Sequence, residues 1–409
     1  MCNTKTFVLN FFTEKLNAAH SKANHFRFSC QRDDHRIACK SWRTIAVSII
    51  FLSLLSGCKP DATKDGLQTI STPTLLPSQP SSSLVSTQNV AQIDVSKDRE
   101  WKVYDINAIA WSMDSSMFAI AGRENSADSN FGVYAYDINS SAKLWFSETY
   151  VPFSLAYSPD NQIIAVPYFA GFSSLDAVTG AGNKSTLYQE GECFGDQQIA
   201  FSPDGTKIIT LSTVPQYRTT MIYMWDIKAD RCFGMLAEEQ GVAFHFSLSR
   251  DGHLLALGLR DIGNNLEQQV HVWDTEQKKL ICSFAGTQPI SLTLDGNMIA
   301  AGSIDKPGDV GFWDAKTCQP LDVLHLQEAN GPFSMDFSPD GKLLAIGGTN
   351  TMQIWDAANR KLLFESEKLP NIVKILTFSP SGQLLLSETD RVSVNDKATI
   401  TLWKIAQKQ

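Results

Sequence analysis

The sequence predicts an all-β protein, a seven-bladed β-propeller of four-stranded antiparallel blades. Three observations carry it. First, one phrase recurs seven times: a hydrophobic pair, a hydroxyl residue and an acidic turn. Ile199-Ala200-Phe201-Ser202-Pro203-Asp204-Gly205 and Met335-Asp336-Phe337-Ser338-Pro339-Asp340-Gly341 are its clearest copies. The turn positions, 115, 161, 205, 252, 296, 341 and 382, are spaced by 46, 44, 47, 44, 45 and 41 residues, and a near-constant step of that size marks a stacked array. Second, each phrase has a downstream partner such as Trp225-Asp226, Trp273-Asp274, Trp313-Asp314 or Trp355-Asp356. Third, short runs rich in β-branched and aromatic residues, bounded by Gly, Pro, Asp and Asn, fill the rest of each unit and read as four strands.

Taken in chain order, the first run of each unit is the phrase itself, and Pro-Asp-Gly then supplies the backbone angles of a tight turn. A second run follows, for example Leu343-Leu344-Ala345-Ile346; a third closes on the Trp-Asp pair, and a fourth is typified by Lys361-Leu362-Leu363-Phe364. The seventh unit has no room for its fourth strand after Trp403, so Val90 to Val95 is expected to supply it and close the ring, leaving no open sheet.

The Phe-Ser-Pro-Asp-Gly turn followed by Trp-Asp resembles the WD-repeat family over residues 89–409. No Gly-His dipeptide precedes any first strand, so the family's His-Ser-Asp-Trp hydrogen-bond set is not carried over. In the first two units, Gly132-Val133-Tyr134-Ala135-Tyr136-Asp137 and Leu175-Asp176-Ala177-Val178-Thr179-Gly180 look like quinoprotein-type repeats. A quinoprotein-like or other small-molecule-binding propeller is therefore the alternative functional expectation.

Upstream, Thr44 to Leu55 is an apolar stretch of 12 residues behind Lys40 and Arg43, ended by Ser56-Gly57-Cys58. It falls short of the ~20 residues of a spanning helix and has the shape of a secretory signal. Leu55-Ser56-Gly57-Cys58 resembles the bacterial lipoprotein box, which implies lipidation of Cys58 and, with Lys59 after it, delivery to the outer membrane where the cell has one. Residues 1–57 are read as a signal peptide whose start is set too far upstream. Residues 58–88 are read as the lipidated Cys and a disordered tether rich in Ser, Thr and Pro, of roughly 30 Å reach, and the expected location is the cell envelope, outside the cytoplasm.

Residues 58–409 hold 27 Lys and Arg against 40 Asp and Glu, a net charge of −13, which argues against nucleic acid. Cys193, Cys232, Cys282 and Cys318 lie in the repeat region. The last three are read as outer-strand thiols of diverging blades, free or partly buried, with Cys193–Cys232 as the one bridge worth testing. No paired Cys or His spacing suggests a metal, and no cofactor is expected.

The periodic Asp160, Asp204, Asp251, Asp295 and Asp340 read as turn residues. His271 reads as packed, His253 as exposed and His245 as close to the upper rim. No nucleophile elbow or phosphate loop is present, so no enzyme is expected. What remains is display: a monomeric scaffold, tethered to a membrane through its lipid, that offers loops to a protein or envelope partner, with an envelope assembly factor as a special case. Among those loops Tyr168, Phe169 and Phe172, then Tyr217 and Arg218, and more weakly Phe194, are the expected contacts, because aromatics and Arg dominate interface energetics. Phe169 and Phe172 could equally fill the core of the second blade.

Overall fold

The computed structural model describes residues 93–407, apart from 126–129, 169–170, 188–196, 215–218, 229–230, 244, 261–267, 327–330 and 394–395. Among the described residues, 28 strands form seven antiparallel four-stranded sheets. Each sheet is one blade of a β-propeller. The innermost strands are Asp105–Trp111, Ala156–Tyr157, Gln198–Phe201, Phe246–Leu248, Thr287–Leu292, Ser334–Phe337 and Val373–Phe378, in blades 1 to 7.

Burial follows position in the blade. The second strands Leu254–Leu259 and Leu343–Gly347 are buried at every residue, because neighbouring blades cover both of their faces. The outermost strand Lys279–Ala285 alternates exposed and half-buried, since one face meets solvent. Apolar clusters accordingly lie between blades: Phe118 and Ile120 of blade 1 pack with Leu386, Ile400 and Leu402 of blade 7.

The recurrent phrase is explained by one hydroxyl doing two jobs. Ser158 Oγ donates to Asp160 Oδ1 at 2.6 Å and accepts from the N–H of Ile163 at 3.0 Å. Ser202 repeats this with Asp204 and Lys207, Ser338 with Asp340 and Leu343, and Thr293 with Asp295 and Met298. A hydroxyl both donates and accepts, so only Ser or Thr suits the position. The hydroxyl hydrogen bond lowers the carboxyls of Asp114, Asp160 and Asp204, the last to about 2. At Asp251, Asp295 and Asp340 burial pushes upward, and the same bonds outweigh it.

The Asp of each Trp-Asp pair has a separate task. Asp314 Oδ1 accepts from the N–H groups of Lys316 and Thr317, and Asp356 Oδ1 from those of Ala358 and Asn359, shaping the turn into the outermost strand. The Trp partly restores the network that lacked its His: Trp225 Nε1 donates to Thr210 Oγ1 at 3.0 Å and Trp403 Nε1 to Ser387 Oγ at 2.8 Å.

Closure is as expected in kind and longer in extent. Ile93–Val103 pairs antiparallel with Ala398–Gln407 as the outermost strand of blade 7. It runs eight residues beyond Val95, and its Trp101 packs edge-on against Phe118 of blade 1 at 4.9 Å.

The expectation of free thiols is corrected. Cys282 and Cys318 form a disulfide with Cα atoms 5.9 Å apart. Cys318 lies in the turn before the strand Pro320–His325 rather than in that outermost strand, and blade 5 folds this turn back against blade 4, where strand-to-strand divergence does not apply. Cys232 is disulfide-bonded as well, while Cys193 lies outside the described residues.

Candidate functional site at the loop end of the central channel

Seven short inner strands leave a central channel, and each blade reaches the next across its wall. From blade 1, Asn107 Nδ2 donates to Pro152 O at 2.7 Å; Ser154 Oγ of blade 2 accepts from Ile199 N at 3.4 Å. Gln198 of blade 3 brackets Phe246, donating to its carbonyl at 3.1 Å and accepting from its N–H. Ser247 and Ser291 accept from the N–H groups of Leu292 and Phe337, at 3.0 and 3.2 Å. Asp336 Oδ2 accepts from Phe378 N at 2.8 Å, and Trp111 Nε1 donates to Thr377 O at 3.1 Å. Seven steps, seven latches: the ring is tied by side chains at every seam.

Toward the end where the blades are joined to one another, the channel widens into a cavity of about 520 Å³. Its wall is as apolar as it is polar: Asn107, Gln197, Gln198, Gln288 and several Ser share it with Ile, Leu, Pro and Phe side chains. Three titratable side chains line it: His245, Asp336 and Lys374. His245 is exposed to solvent at this wall. Burial works against the Lys374 ammonium, but Glu388, Asp390 and Asp105 outweigh it, and Lys374 Nζ sits 3.5 Å from Asp390 Oδ2. Glu388 is 1% exposed with neither carboxyl oxygen hydrogen-bonded, and burial pushes it up to about 8. Burial also raises Asp336, to about 7, against the pull of two backbone N–H groups.

Five large apolar side chains stand exposed in loops at this end of the ring: Tyr150, Phe153, Ile304, Phe333 and Val392. Phe153 and Phe333, 38% and 40% exposed, also line the cavity. Each follows a proline and precedes a buried serine, in Pro152-Phe153-Ser154 and Pro332-Phe333-Ser334. Ser154 accepts from Ile199 N and Ser334 Oγ donates to Val373 O at 2.7 Å, so the serine fixes the inner strand and the preceding Phe is left at the mouth. The repeated Pro-Phe-Ser was the signal in the sequence that would have found them.

The expected contact residues fare differently. Pro167 to Phe172 is not a long loop: strands Ile163–Tyr168 and Gly171–Asp176 pair through Pro167↔Phe172 and Tyr168↔Gly171. Phe172 therefore lies within a strand, 4% exposed and edge-on to Trp225 at 5.6 Å, and fills the core instead of meeting a partner. Tyr168 is half-buried, and burial raises its phenol. Cys58, Phe169, Phe194, Tyr217 and Arg218 lie outside the described residues. Among the histidines, His271 is packed, its ring nitrogens 2.7 Å from Glu239 Oε1 and 3.0 Å from Gln269 Oε1, and His253 is exposed. His245 faces the channel. Among the described residues no group of three His, Cys, Asp or Glu could hold a metal ion, and no helix is long and apolar enough to cross a membrane.

Seven four-stranded blades, hydroxyl–Asp turns and Trp-Asp strand ends make this chain a seven-bladed β-propeller of the WD-repeat type. The family model described as WD domain, G-beta repeat matches residues 319–356, and that described as Eukaryotic translation initiation factor eIF2A matches residues 81–239. The chain is similar to Pre-mRNA-processing factor 19 of Oryza sativa subsp. japonica, 24% identical over 49% of this chain and 38% of that protein. It is also similar to Periodic tryptophan protein 2 of Saccharomyces cerevisiae, 28% identical over 48% and 21% of the two chains. A third relative is the Periodic tryptophan protein 2 homolog of Neurospora crassa, 32% identical over 28% and 12%. The chain spans less than half the length of each of these relatives.

Proposed function

We propose that this propeller is a non-catalytic scaffold that binds a protein partner at the loop end of its channel and is held at a membrane by lipid on Cys58. The observation that carries the binding reading is the pair of exposed rings Phe153 and Phe333 lining the cavity, with Tyr150, Ile304 and Val392 exposed in loops at the same end. Exposed aromatic side chains beside a cavity mark an interaction site. The periodic carboxylates are engaged in turn hydrogen bonds, which favours binding over catalysis.

The relatives are eukaryotic and match over parts of their lengths; what they lend to this chain is a protein-binding repeat. Export rests on other ground. The apolar stretch ending in Ser56-Gly57-Cys58 has the form of a lipoprotein signal, and disulfide-bonded Cys232, Cys282 and Cys318 suit an oxidising compartment. The first described strand of the ring, Ile93–Val103, begins at the end of the ring that carries the acidic turns.

A photo-crosslinking residue at Phe333, compared with one at Val178 on the opposite end, tests the binding reading in native membranes. Discrete adducts from position 333 and none from 178 are expected, and the reverse pattern would overturn it. Intact-mass analysis tests the anchor separately: the mature chain should begin at an acylated Cys58, and a Cys58→Ala chain that stays in the membrane fraction would refute that part.

A further inference from the structure

The seven seam latches are chemically uniform except for one. Asn107, Ser154, Gln198, Ser247, Ser291 and Trp111 are all neutral, and the step from blade 6 to blade 7 alone uses an ionisable group, Asp336. The position does not need an acid. Ser247 and Ser291 stand at the same place in the recurrent phrase and make the same bond, to the N–H of the third phrase residue in the next blade. A serine would latch blade 6 equally well, without the cost of holding a carboxyl in a crowded lumen.

Among the described residues, no cation is seen paired with Asp336. Of the other two titratable groups described in the cavity wall, Lys374 is held by Asp390 with Glu388 and Asp105 beside it, and His245 is exposed to solvent. Asp336 is half-buried and borders the cavity. Phe333, three residues before it, and Phe153 line the same cavity with exposed rings. A carboxyl in a cavity that exposed aromatic rings also line suits a cation, through a charge-assisted hydrogen bond and ring-face attraction.

We propose that the mouth receives an arginine or lysine side chain from an extended segment of the protein partner, with Asp336 as its counter-anion and Phe153 and Phe333 lining its path. This rests on the loop-end binding reading and adds the chemistry of what enters. The acidic balance of the chain outside residues 1–57 favours the approach of a basic segment as well.

The test is selection of random peptides displayed on phage against the full-length protein, followed by titration of the selected peptides and mapping by hydrogen exchange. Selected peptides should share a basic residue, protect the segments holding Phe153, Phe333 and Asp336, and bind Asp336→Ser at least about tenfold more weakly, the order expected when a hydrogen bond to a charged group is lost. Replacing the shared Arg by citrulline should have the same effect. Asp336→Ser keeps the latch, and Asp336→Asn provides a second variant with an acceptor oxygen should the first not fold. Peptides that protect the loop end but lack a basic residue, or bind Asp336→Ser equally, overturn this inference and leave the loop-end reading standing. Peptides that protect only the turn end or the outer strands overturn both.

Discussion

Trp111 of the first blade donates its indole N–H to the carbonyl of Thr377 in the last, 266 residues away in sequence. This bond and the N–H of Ser381 donating to Ser115 Oγ tie blade 7 to blade 1 near the channel axis, while Ile93–Val103 ties them at the rim. Trp111→Phe keeps the ring and loses the donor. About 1 kcal/mol, or a Tm lower by roughly 1–2 °C, is expected for a chain of this size. Deleting residues 89–97 should do far more, and a truncated chain that melts cooperatively at the parent temperature would contradict strand-based closure.

The Cys282–Cys318 disulfide closes a separation of 36 residues between blades 4 and 5. Loop-closure entropy of that length corresponds to about 3–4 kcal/mol. Cys282→Ser, Cys318→Ser and the double variant should melt at about the same temperature, each below the oxidised parent. Unequal or additive losses in a calorimetric cycle would show that packing rather than the bond dominates.

Acid should weaken the turns in a defined direction. The folded carboxyl of Asp204 lies at about 2, below its ordinary value of 3.8, because it accepts from Ser202 Oγ and from the N–H and hydroxyl of Thr206. A depressed carboxyl contributes stability that is full above about pH 4 and fades as the pH falls toward 2. Asp204→Asn should therefore melt lower than the parent at pH 7, with the gap narrowing between pH 4 and pH 2. A gap that stays constant over that range would refute the charge-based account.

The glycines of the turns differ in what surrounds them. Gly205 and Gly252 have φ of +67° and +72°, in the left-handed region that disfavours side chains. A Cβ on Gly205 would meet Pro159 Cδ at 3.5 Å, whereas one on Gly252 would meet Pro203 Cδ at 2.8 Å. Gly205→Ala should cost about 1 kcal/mol from backbone strain alone, and Gly252→Ala distinctly more, as read by denaturant midpoints. Equal losses would mean that the turn of blade 3 gives way freely.

The ring was legible in the sequence because each blade solves the same local problem with the same atoms. The Ser202–Asp204 and Thr293–Asp295 turns are complete within a few residues, so their pattern survives in any single copy. The channel mouth was legible only in the repeated Pro-Phe-Ser of blades 2 and 6, because which side chains of the other inner strands meet the lumen depends on irregular register. Pairing slips between Ile106 and Ala108, Thr287 and Ile290, and Val373 and Ile375, and each slip re-aims the residues beyond it. For Phe172, read equally as a partner contact or as core of the second blade, the structure selects the core, since it lies within the strand Gly171–Asp176. The Cys282–Cys318 bond was hidden, as spacing along the chain does not tell which turn folds back on its neighbour.

Building the last blade from both chain ends also imposes an order in time. Ile93–Val103 is made first and has no strand to pair with until Ala398–Gln407 emerges. Until then its Arg99 and Trp101 can only lean on Ile138 and Ser141 of blade 1, and the circle locks last at the seam where it began.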